Sequence, residues 1–264
     1  MAVYVTGDTH GIHKGLWLWA NRMGLNVDDT IIILGDTGLN YYLNYKDNNE
    51  KKAIQKNMPC KLFVVRGNHE YMPERVLGIP YYDRDVDRIV TKKAHNEEYF
   101  GNIVLVEDKY PKIKYAKDGY IYNIEGYKTM VIGGAYSIDK WYRLRNNWMW
   151  TEHEQLTEEE METIFTTFAE NKVDVLLTHT APSIFEPCFE HIFMPGFDQN
   201  EIDKTMERWM DKFYWREYND IKLHYFGHFH ANINCDGPGV MLSEAVVPFG
   251  ERAPTVYTDE NDRR

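Results

Sequence analysis

The stretch VYVTGDTHG, residues 3–11, joins a short apolar run to an aspartate and a histidine. Gly7 and Gly11 suit a tight turn, because glycine adopts backbone angles that other residues avoid. A turn alone does not require Asp8 and His10 two residues apart at the end of a predicted strand. The stretch therefore poses a choice between an ordinary turn and one part of a metal site.

The same arrangement recurs along the chain. Five short runs rich in Val, Ile and Leu are predicted to be buried strands: residues 3–5, 31–34, 62–65, 173–177 and 223–226. The residues that follow these runs can all bind a metal ion: Asp8, Asp36, Asn68 with His69, His179 and His228, while His10 and His230 come two residues after Asp8 and His228. In open α/β sheets, ligands gather beyond the carboxyl ends of the strands. Five such strands would direct these side chains into one crevice.

Helical apolar spacing separates several of the strands. The predicted helices cover residues 12–24, 47–57, 156–171 and 201–215, and the third opens with a capping box formed by Thr157 and Glu160. From residue 102 to 132 the chain alternates apolar segments with turn residues, which predicts a mainly antiparallel centre and a β-hairpin over 120–134. Residues 133–155 are predicted to be rich in loops. The pattern favours α/β layers with helices outside a sheet or a pair of sheets, in one domain over residues 1–264.

Composition narrows the class of protein. The 264 residues are 43% hydrophobic, which is typical of a globular chain, and their formal net charge is −11. This charge argues against a basic cleft for long nucleic acid, although a nucleotide or a short nucleic acid remains compatible. The three cysteines lack metal-site spacing, and no stretch approaches the ~20 apolar residues of a membrane span. We expect reduced thiols and a cytoplasmic location, with no membrane partner.

The predicted ligands define the kind of metal site. Two carboxylates, one amide oxygen and four imidazoles suit Mn, Fe, Zn or Ni better than Ca, which prefers oxygen, or structural zinc, which prefers thiolates. One ion does not need so many ligands. Two ions about 3.5–4 Å apart that share a carboxylate would use them all.

The ordered series GDTHG, GD, GNHE, H and GHFH resembles the calcineurin-like metallophosphoesterase superfamily, and it runs from Asp8 to His230. The resemblance implies a two-sheet αββα sandwich of mixed strands with the metal site at the carboxyl ends of the strands. It also implies a role for each residue. The first metal would be held by Asp8, His10 and His230, the second by Asn68, His179 and His228, and Asp36 would bridge the two together with a hydroxide. His69 would contact the phosphoryl group and protonate the leaving group, with Glu70 behind it as an orienting partner.

One departure from the superfamily concerns phosphate binding. The Ser/Thr protein phosphatase branch has GDxVDRG at the second motif and binds phosphate with its arginine, whereas this chain has GDTGLNYYLNY. The cation must come from elsewhere, and the candidates are Arg66, Arg143 and Arg145. The last two lie in residues 133–150, a segment that resembles one in many small bacterial and phage-type members.

These features predict a dinuclear, metal-dependent phosphoesterase in which a metal-bridging hydroxide attacks phosphorus. Manganese is the preferred ion, and a phosphomonoesterase acting on nucleotides, small molecules or phosphoproteins is the preferred function. A phosphodiesterase or nuclease of the same fold and a metal-binding scaffold without turnover stay open as alternatives, and the oligomeric state is not predicted.

Aromatic residues and the other histidines complete the expectations. Trp141, Trp148 and Trp150 could stack on a base or an aromatic leaving group, but we expect them to pack the 133–150 segment onto the sandwich. The histidines outside the series are expected to be structural or on the surface: His13, His95, His153, His191 and His224.

Overall fold

The structure is a computed structural model that describes residues 1–83, 87–193, 202–215 and 220–252. Within these residues the strands are β1 (Val3–Thr6), β2 (Thr30–Ile33), β3 (Lys61–Val64), β4 (Pro80–Asp83), β5 (Arg88–Thr91), β6 (Ala94–Tyr99), β7 (Asn102–Glu107), β8 (Ile113–Tyr115), β9 (Ile121–Ile124), β10 (Tyr127–Ile132), β11 (Val175–Thr178), β12 (Leu223–Phe226), β13 (Ile233–Asn234), β14 (Gly239–Met241) and β15 (Val246–Pro248). The helices are α1 (Lys14–Arg22), α2 (Tyr45–Asn57), α3 (Pro73–Val76), α4 (Lys140–Arg145), α5 (Glu158–Glu170), α6 (Glu186–Phe189) and α7 (Thr205–Met210). Short 3₁₀ turns cover Ser183–Phe185, Glu190–Ile192 and Asp211–Tyr214.

Two mixed sheets form the centre of the fold. The first has the strand order β15-β1-β2-β3-β8-β7-β6, and the second has the order β13-β14-β12-β11-β10-β9. Strands β1, β2, β3 and β8 run parallel, as do β10, β11, β12 and β14, while antiparallel strands complete the edges of each sheet. Strands β4 and β5 pair separately.

Apolar side chains hold the layers together on both faces of each sheet. In β2, Ile32 belongs to the core between the two sheets, whereas Ile31 and Ile33 pack in the cluster that contains residues of α1 and α2. Helices α5 and α7 cover the outer face of the second sheet in a third cluster. Burial on both faces explains the continuous apolar runs in the sequence. The predicted αββα sandwich is confirmed.

Local sequence explains where the main elements begin and end. The five predicted strands lie within two residues of their observed bounds. The capping box is present, since the Thr157 hydroxyl accepts the Glu160 amide and the Glu160 carboxylate accepts the Thr157 amide. The predicted hairpin is present as well: Glu125 and Gly126 both have positive φ, as a two-residue turn between β9 and β10 requires.

The last of the predicted helices differs most from its predicted bounds. The sequence pattern gave a helix over residues 201–215, but residue 201 lies outside the described residues and α7 begins only at Thr205. The Asp203 carboxylate accepts the Thr205 amide, which fixes the start of the helix there. After Met210 the chain tightens into the 3₁₀ turn Asp211–Tyr214. Residues 258–264, whose polar sequence predicts a frayed tail, also lie outside the described residues.

Candidate metal centre

The predicted ligands follow the carboxyl ends of parallel strands in both sheets. Asp8 comes two residues after β1, Asp36 three residues after β2, and Asn68 four residues after β3. His179 directly follows β11, and His228 comes two residues after β12. Because these strand ends face one another where the sheets meet, the side chains converge on one place.

Asp8, His10 and His230 form the first group. The Nε2 atom of His230 lies 3.2 Å from Asp8 Oδ2 and 3.0 Å from His10 Nε2. The ligand atoms of these three residues all lie within 4.8 Å of one another, as one metal ion would require. Asp8 is buried, whereas the two histidines are exposed, so the group opens to solvent on the histidine side.

Asp36 lies between the first group and a second one. Its Oδ2 is 4.0 Å from His10 Nε2, and its Oδ1 is 3.6 Å from His179 Nε2. Its ligand atom also falls in a cluster with Asp8 and His179, within 4.8 Å. A carboxylate in this position can serve ligand sets on both sides.

Asn68, His179 and His228 are the residues predicted for the second metal. The Nδ1 atom of His179 donates to the Leu34 carbonyl at 2.7 Å, which leaves Nε2 with its lone pair. Asn68 donates its amide nitrogen to Ser137, which turns Oδ1 toward His179 Nε2 at 2.7 Å. The imidazole of His228 packs 5.0 Å from that of His179. Two lone pairs that face each other need a cation or a second proton on the imidazole, and the donor set fits a divalent ion.

Four of the predicted ligands have left-handed backbone conformations. The φ angles are 45° at His10, 45° at Asp36, 66° at His228 and 54° at His230. Such angles are uncommon for residues other than glycine, and they concentrate at functional sites where the surroundings impose them. These backbone conformations direct the four side chains toward the same place.

Close backbone approach explains two of the glycines in the series. A Cβ atom at Gly67 would overlap the Oδ1 and backbone nitrogen of Asp36, and one at Gly227 would overlap Oδ1 of Asp8. These glycines let two strand ends come together at each carboxylate. Gly7, by contrast, lies against the backbone of Leu242 and Ser243, so its small size serves the contact with the chain segment before β15.

Burial and neighbouring groups shift the pKa values of three residues in the cluster. Burial alone would raise the pKa of Asp36, but the imidazoles of His179, His69 and His10 and the His69 amide hold it well below its usual range. Burial lowers the pKa of His228 well below its ordinary value, which keeps this imidazole neutral as a ligand must be. The hydrogen bond to Asp8 raises the pKa of His230.

His69 sits beside the cluster and contacts Arg143. Nη2 of Arg143 lies 2.6 Å from His69 Nε2 and also contacts Nδ1. His69 Nδ1 is 4.0 Å from Asp36 Oδ2, and the His69 amide donates to Asp36 Oδ1 at 2.8 Å. Burial lowers the pKa of His69 to about 4, with Asp36 acting in the opposite direction and Arg143 adding to the lowering.

Asp139 is a residue that sequence reasoning missed. Its Oδ2 accepts Arg143 Nε at 2.7 Å, and its Oδ1 lies 3.8 Å from His69 Nε2. That Oδ1 atom is buried and has no hydrogen-bond partner in the part of the chain that the structure describes. Asp139 directly precedes α4, and its spacing of four residues from Arg143 was the available sequence pattern.

The three candidate arginines have different surroundings. Arg143 is buried at the cluster, and Arg145 is exposed at the end of the same helix, α4. The Arg66 guanidinium is buried and donates to Asp118 and to the carbonyls of Gly133, His153 and Glu154. These bonds tie Arg66 to the backbone of the 133–155 segment, which argues against the predicted contact with substrate.

Glu70 connects the loops on either side of the cluster. Its Oε2 accepts the Thr37 hydroxyl at 2.6 Å, and its Oε1 accepts the Gly67 amide at 2.9 Å. The carboxyl group thus fixes the loop after β3 against the loop after β2. Its orienting effect acts on the backbone that carries Asn68 and His69.

Two other histidines have structural contacts, as expected. His13 is buried between Thr9 and Glu50, and His224 is buried between Thr178 and Tyr214.

The tryptophans differ from the expectation. Trp141 and Trp148 are 66% and 55% exposed, so the prediction that they pack onto the sandwich is wrong for both.

Two buried carboxylates, a carboxamide and four imidazoles at the junction of two sheets define the class of protein: a metal-dependent hydrolase with a fold of the αββα type. The chain belongs to the calcineurin-like phosphoesterase family, whose sequence profile matches residues 1–232. This match covers the family as a whole and does not separate its branches. A search among curated proteins found no match to the chain.

The family is a group of metal-dependent phosphoester hydrolases, so membership of the family supports phosphoester hydrolysis as the chemistry of this chain. As to membranes, none of the helices in the described residues has the length and apolar character that a bilayer span requires.

Proposed function

We propose that this chain is a phosphomonoesterase that hydrolyses the terminal phosphate of a nucleotide, small-molecule or phosphoprotein substrate. The observation that carries the proposal is the contact of Arg143 with His69 at the edge of the ligand cluster. A monoester phosphoryl group carries close to two negative charges at pH 7, and a buried guanidinium can bind two of its oxygens. A diester offers only one charge to the same cation.

The chain would hold two divalent ions. Asp8, His10 and His230 would hold the first, Asn68, His179 and His228 the second, and Asp36 would contribute to both. When bound, such ions polarise phosphoryl oxygens and lower the pKa of a water molecule toward neutrality. We place manganese first among the ions because carboxylate, amide and imidazole ligands suit it, with iron, zinc and nickel as the next choices.

The side chains around the ions perform the remaining work. Arg143 leaves the His69 ring to bind the phosphoryl oxygens, and Asp139 keeps the guanidinium aimed at them. His69 is then free to donate a proton to the departing oxygen. The negative charge of the bound phosphoryl group raises the pKa of His69 above its value in the free protein, which favours the proton-carrying form.

A phosphodiesterase or nuclease is the second candidate. The exposed positions of His10 and His230 favour it, because substituents on both sides of a phosphate have room on that side of the cluster.

The free thiols of Cys60, Cys188 and Cys235 accord with the cytoplasmic location that we propose. A metal-binding scaffold without turnover is the third candidate, and it would give the Arg143–His69 contact no functional role.

The test compares p-nitrophenyl phosphate with bis(p-nitrophenyl) phosphate, using protein loaded with Mn, Zn, Ni or Mg. We expect the monoester to be the better substrate, and Arg143→Lys to lower its kcat/KM by about a hundredfold, since one bidentate ionic contact contributes about 3 kcal/mol. The exposed Arg145 on the same helix provides the control variant, Arg145→Lys, which should stay near wild type.

Three results would count against the proposal. Faster turnover of the diester would favour the second candidate. An equal loss with both arginine variants would mean that Arg143 does not act on the phosphate. Bound metal without turnover of either substrate would favour the scaffold.

A further inference from the structure

Helix α4 presents two different faces to its surroundings. Arg143 and Asp139 point inward to His69, while Tyr142 and Trp148 stay in solvent with 56% and 55% of their surface exposed. Large aromatic rings are normally buried, because their exposure forfeits about 2 kcal/mol or more each in hydrophobic free energy. Two large exposed rings side by side provide a surface on which a flat ligand can stack.

The two exposed rings are held in a defined arrangement. Tyr142 and Trp148 pack edge to face, with centroids 5.3 Å apart and planes at 88°. The Trp148 amide donates to the Arg143 carbonyl at 2.9 Å, so the pair is tied to the residue that contacts His69. We call Tyr142 and Trp148 the aromatic platform. A ring that is already ordered loses little entropy when it stacks on a ligand.

Helical geometry places Tyr142, and the backbone hydrogen bond to Arg143 places Trp148. At about 100° per residue, Tyr142 lies a quarter turn from Arg143, whereas Trp141 lies on the opposite side of α4. Trp141 is engaged differently, with the Lys140 ammonium 5.5 Å from its ring. The platform is thus an exposed aromatic surface formed by α4 and the residues after it, and it is tied to the backbone of Arg143.

Local charge favours an anionic ligand with flat rings. Residues 133–150 carry three cations, Lys140, Arg143 and Arg145, against the single carboxylate of Asp139, although the whole chain has a net charge of −11. Aromatic rings beside cations are the usual means of binding nucleobases without sequence preference. A protein partner would not need the cations to lie beside a phosphate site.

We propose that the aromatic platform stacks on the base of a nucleotide whose phosphate lies at Arg143 and the metal centre. The substrate class is then a nucleotide or a short single-stranded end, and the platform selects it over phosphate esters without a base. This inference rests on the proposed phosphoesterase function, because the phosphate must be bound at the metal centre for the base to reach the platform.

The experiment measures binding in place of turnover. Manganese-loaded protein is titrated calorimetrically with a thymidine phosphonate, in which CH₂ replaces the bridging oxygen, and with ethylphosphonate, which has the same head group and no base. Neither ligand can be hydrolysed. We expect the nucleoside ligand to bind about tenfold more tightly or better in the wild type, as one stacked base allows.

Variants assign that preference to the platform. Trp148→Ala should bring the ratio of the two affinities close to one, and Trp148→Phe, which keeps a ring, should restore most of it. Trp141→Ala removes another exposed tryptophan, which lies across α4 from Arg143, and should leave the ratio unchanged.

Equal affinities in the wild type would overturn the inference, and so would a ratio that survives Trp148→Ala. A change from dimer to monomer in sedimentation on Trp148→Ala, with no change in the ratio, would overturn it in favour of self-association. Failure of the proposed function is seen separately, as absence of turnover of p-nitrophenyl phosphate by protein that still distinguishes the two phosphonates.

Discussion

The buried carboxyl group of Glu207, next to the metal centre, should make the stability of the folded protein depend on pH. It lies in α7, and its Oε1 accepts the hydroxyl of Thr180, the residue that follows His179. Its Oε2 is buried and has no hydrogen-bond partner among the described residues. Burial raises the pKa of Glu207 from 4.5 to about 7.

The sign of the effect on stability follows from proton binding. The folded protein holds the Glu207 proton up to about pH 7, whereas the unfolded chain releases it near 4.5. Stability contributed by this group is therefore present in full at low pH and is lost as the pH rises between these values. The interval from 4.5 to 7 corresponds to about 3 kcal/mol, at about 1.4 kcal/mol per pH unit.

Glu207→Gln removes the ionisation while keeping an acceptor for Thr180. We expect the variant to gain stability relative to the wild type as the pH rises, so that the difference widens by about 2–3 kcal/mol between pH 5 and pH 8. Urea unfolding at fixed metal concentration measures the free energy of unfolding at each pH. Glu162→Gln, on the exposed side of α5, is the matched control and should show a constant difference.

The result that refutes this reasoning is a difference between Glu207→Gln and wild type that stays flat from pH 5 to pH 8. It would mean that the carboxyl group ionises in the folded protein at its ordinary pKa, through water or a conformational adjustment that relieves its burial.

Two further predictions concern the site itself. Asp139→Asn should lower kcat/KM for p-nitrophenyl phosphate by about tenfold, because Arg143 loses a charge-assisted partner. The control Asp108→Asn removes a surface carboxylate and should have no effect. A normal rate in Asp139→Asn would contradict the role of Asp139. Gly67→Ala should reduce the metal bound per chain in elemental analysis, because the new Cβ displaces Asp36, while Gly15→Ala in α1 should bind metal normally; full metal content in both would show that the loop tolerates a Cβ there.

Local patterns in the sequence predicted much of the fold. The runs before Asp8, Asp36 and His179 are buried on both faces, so their apolar residues form continuous stretches that mark strands without help from distant contacts. The capping box of α5 is equally local. The placement of β15 beside β1 could not be predicted in this way, because it joins residues more than 230 positions apart.

In the candidate site, too, local sequence patterns identified some residues, whereas contacts between distant residues could not be predicted. Its polar residues could be identified because each follows a predicted strand. The contact of Arg143 with His69 could not, since it depends on how α4 folds back over the loop after β3. Arg66 shows the opposite case: it was a candidate for substrate contact because the second motif lacks an arginine, but the carbonyls of the 133–155 segment occupy its guanidinium.

The metal centre also joins the two sheets. His179, from the second sheet, donates to the Leu34 carbonyl in the first, and Asp8 of the first sheet accepts the His228 amide from the second. The side chains proposed to bind metal are thus the same groups that fix the sheets against each other at this end. Because the proposed ligands come from both sheets, the position of the sheets and the occupancy of the site would be thermodynamically linked. An ion bound there would stabilise the sandwich as a whole, since its proposed ligands belong to both halves of the fold.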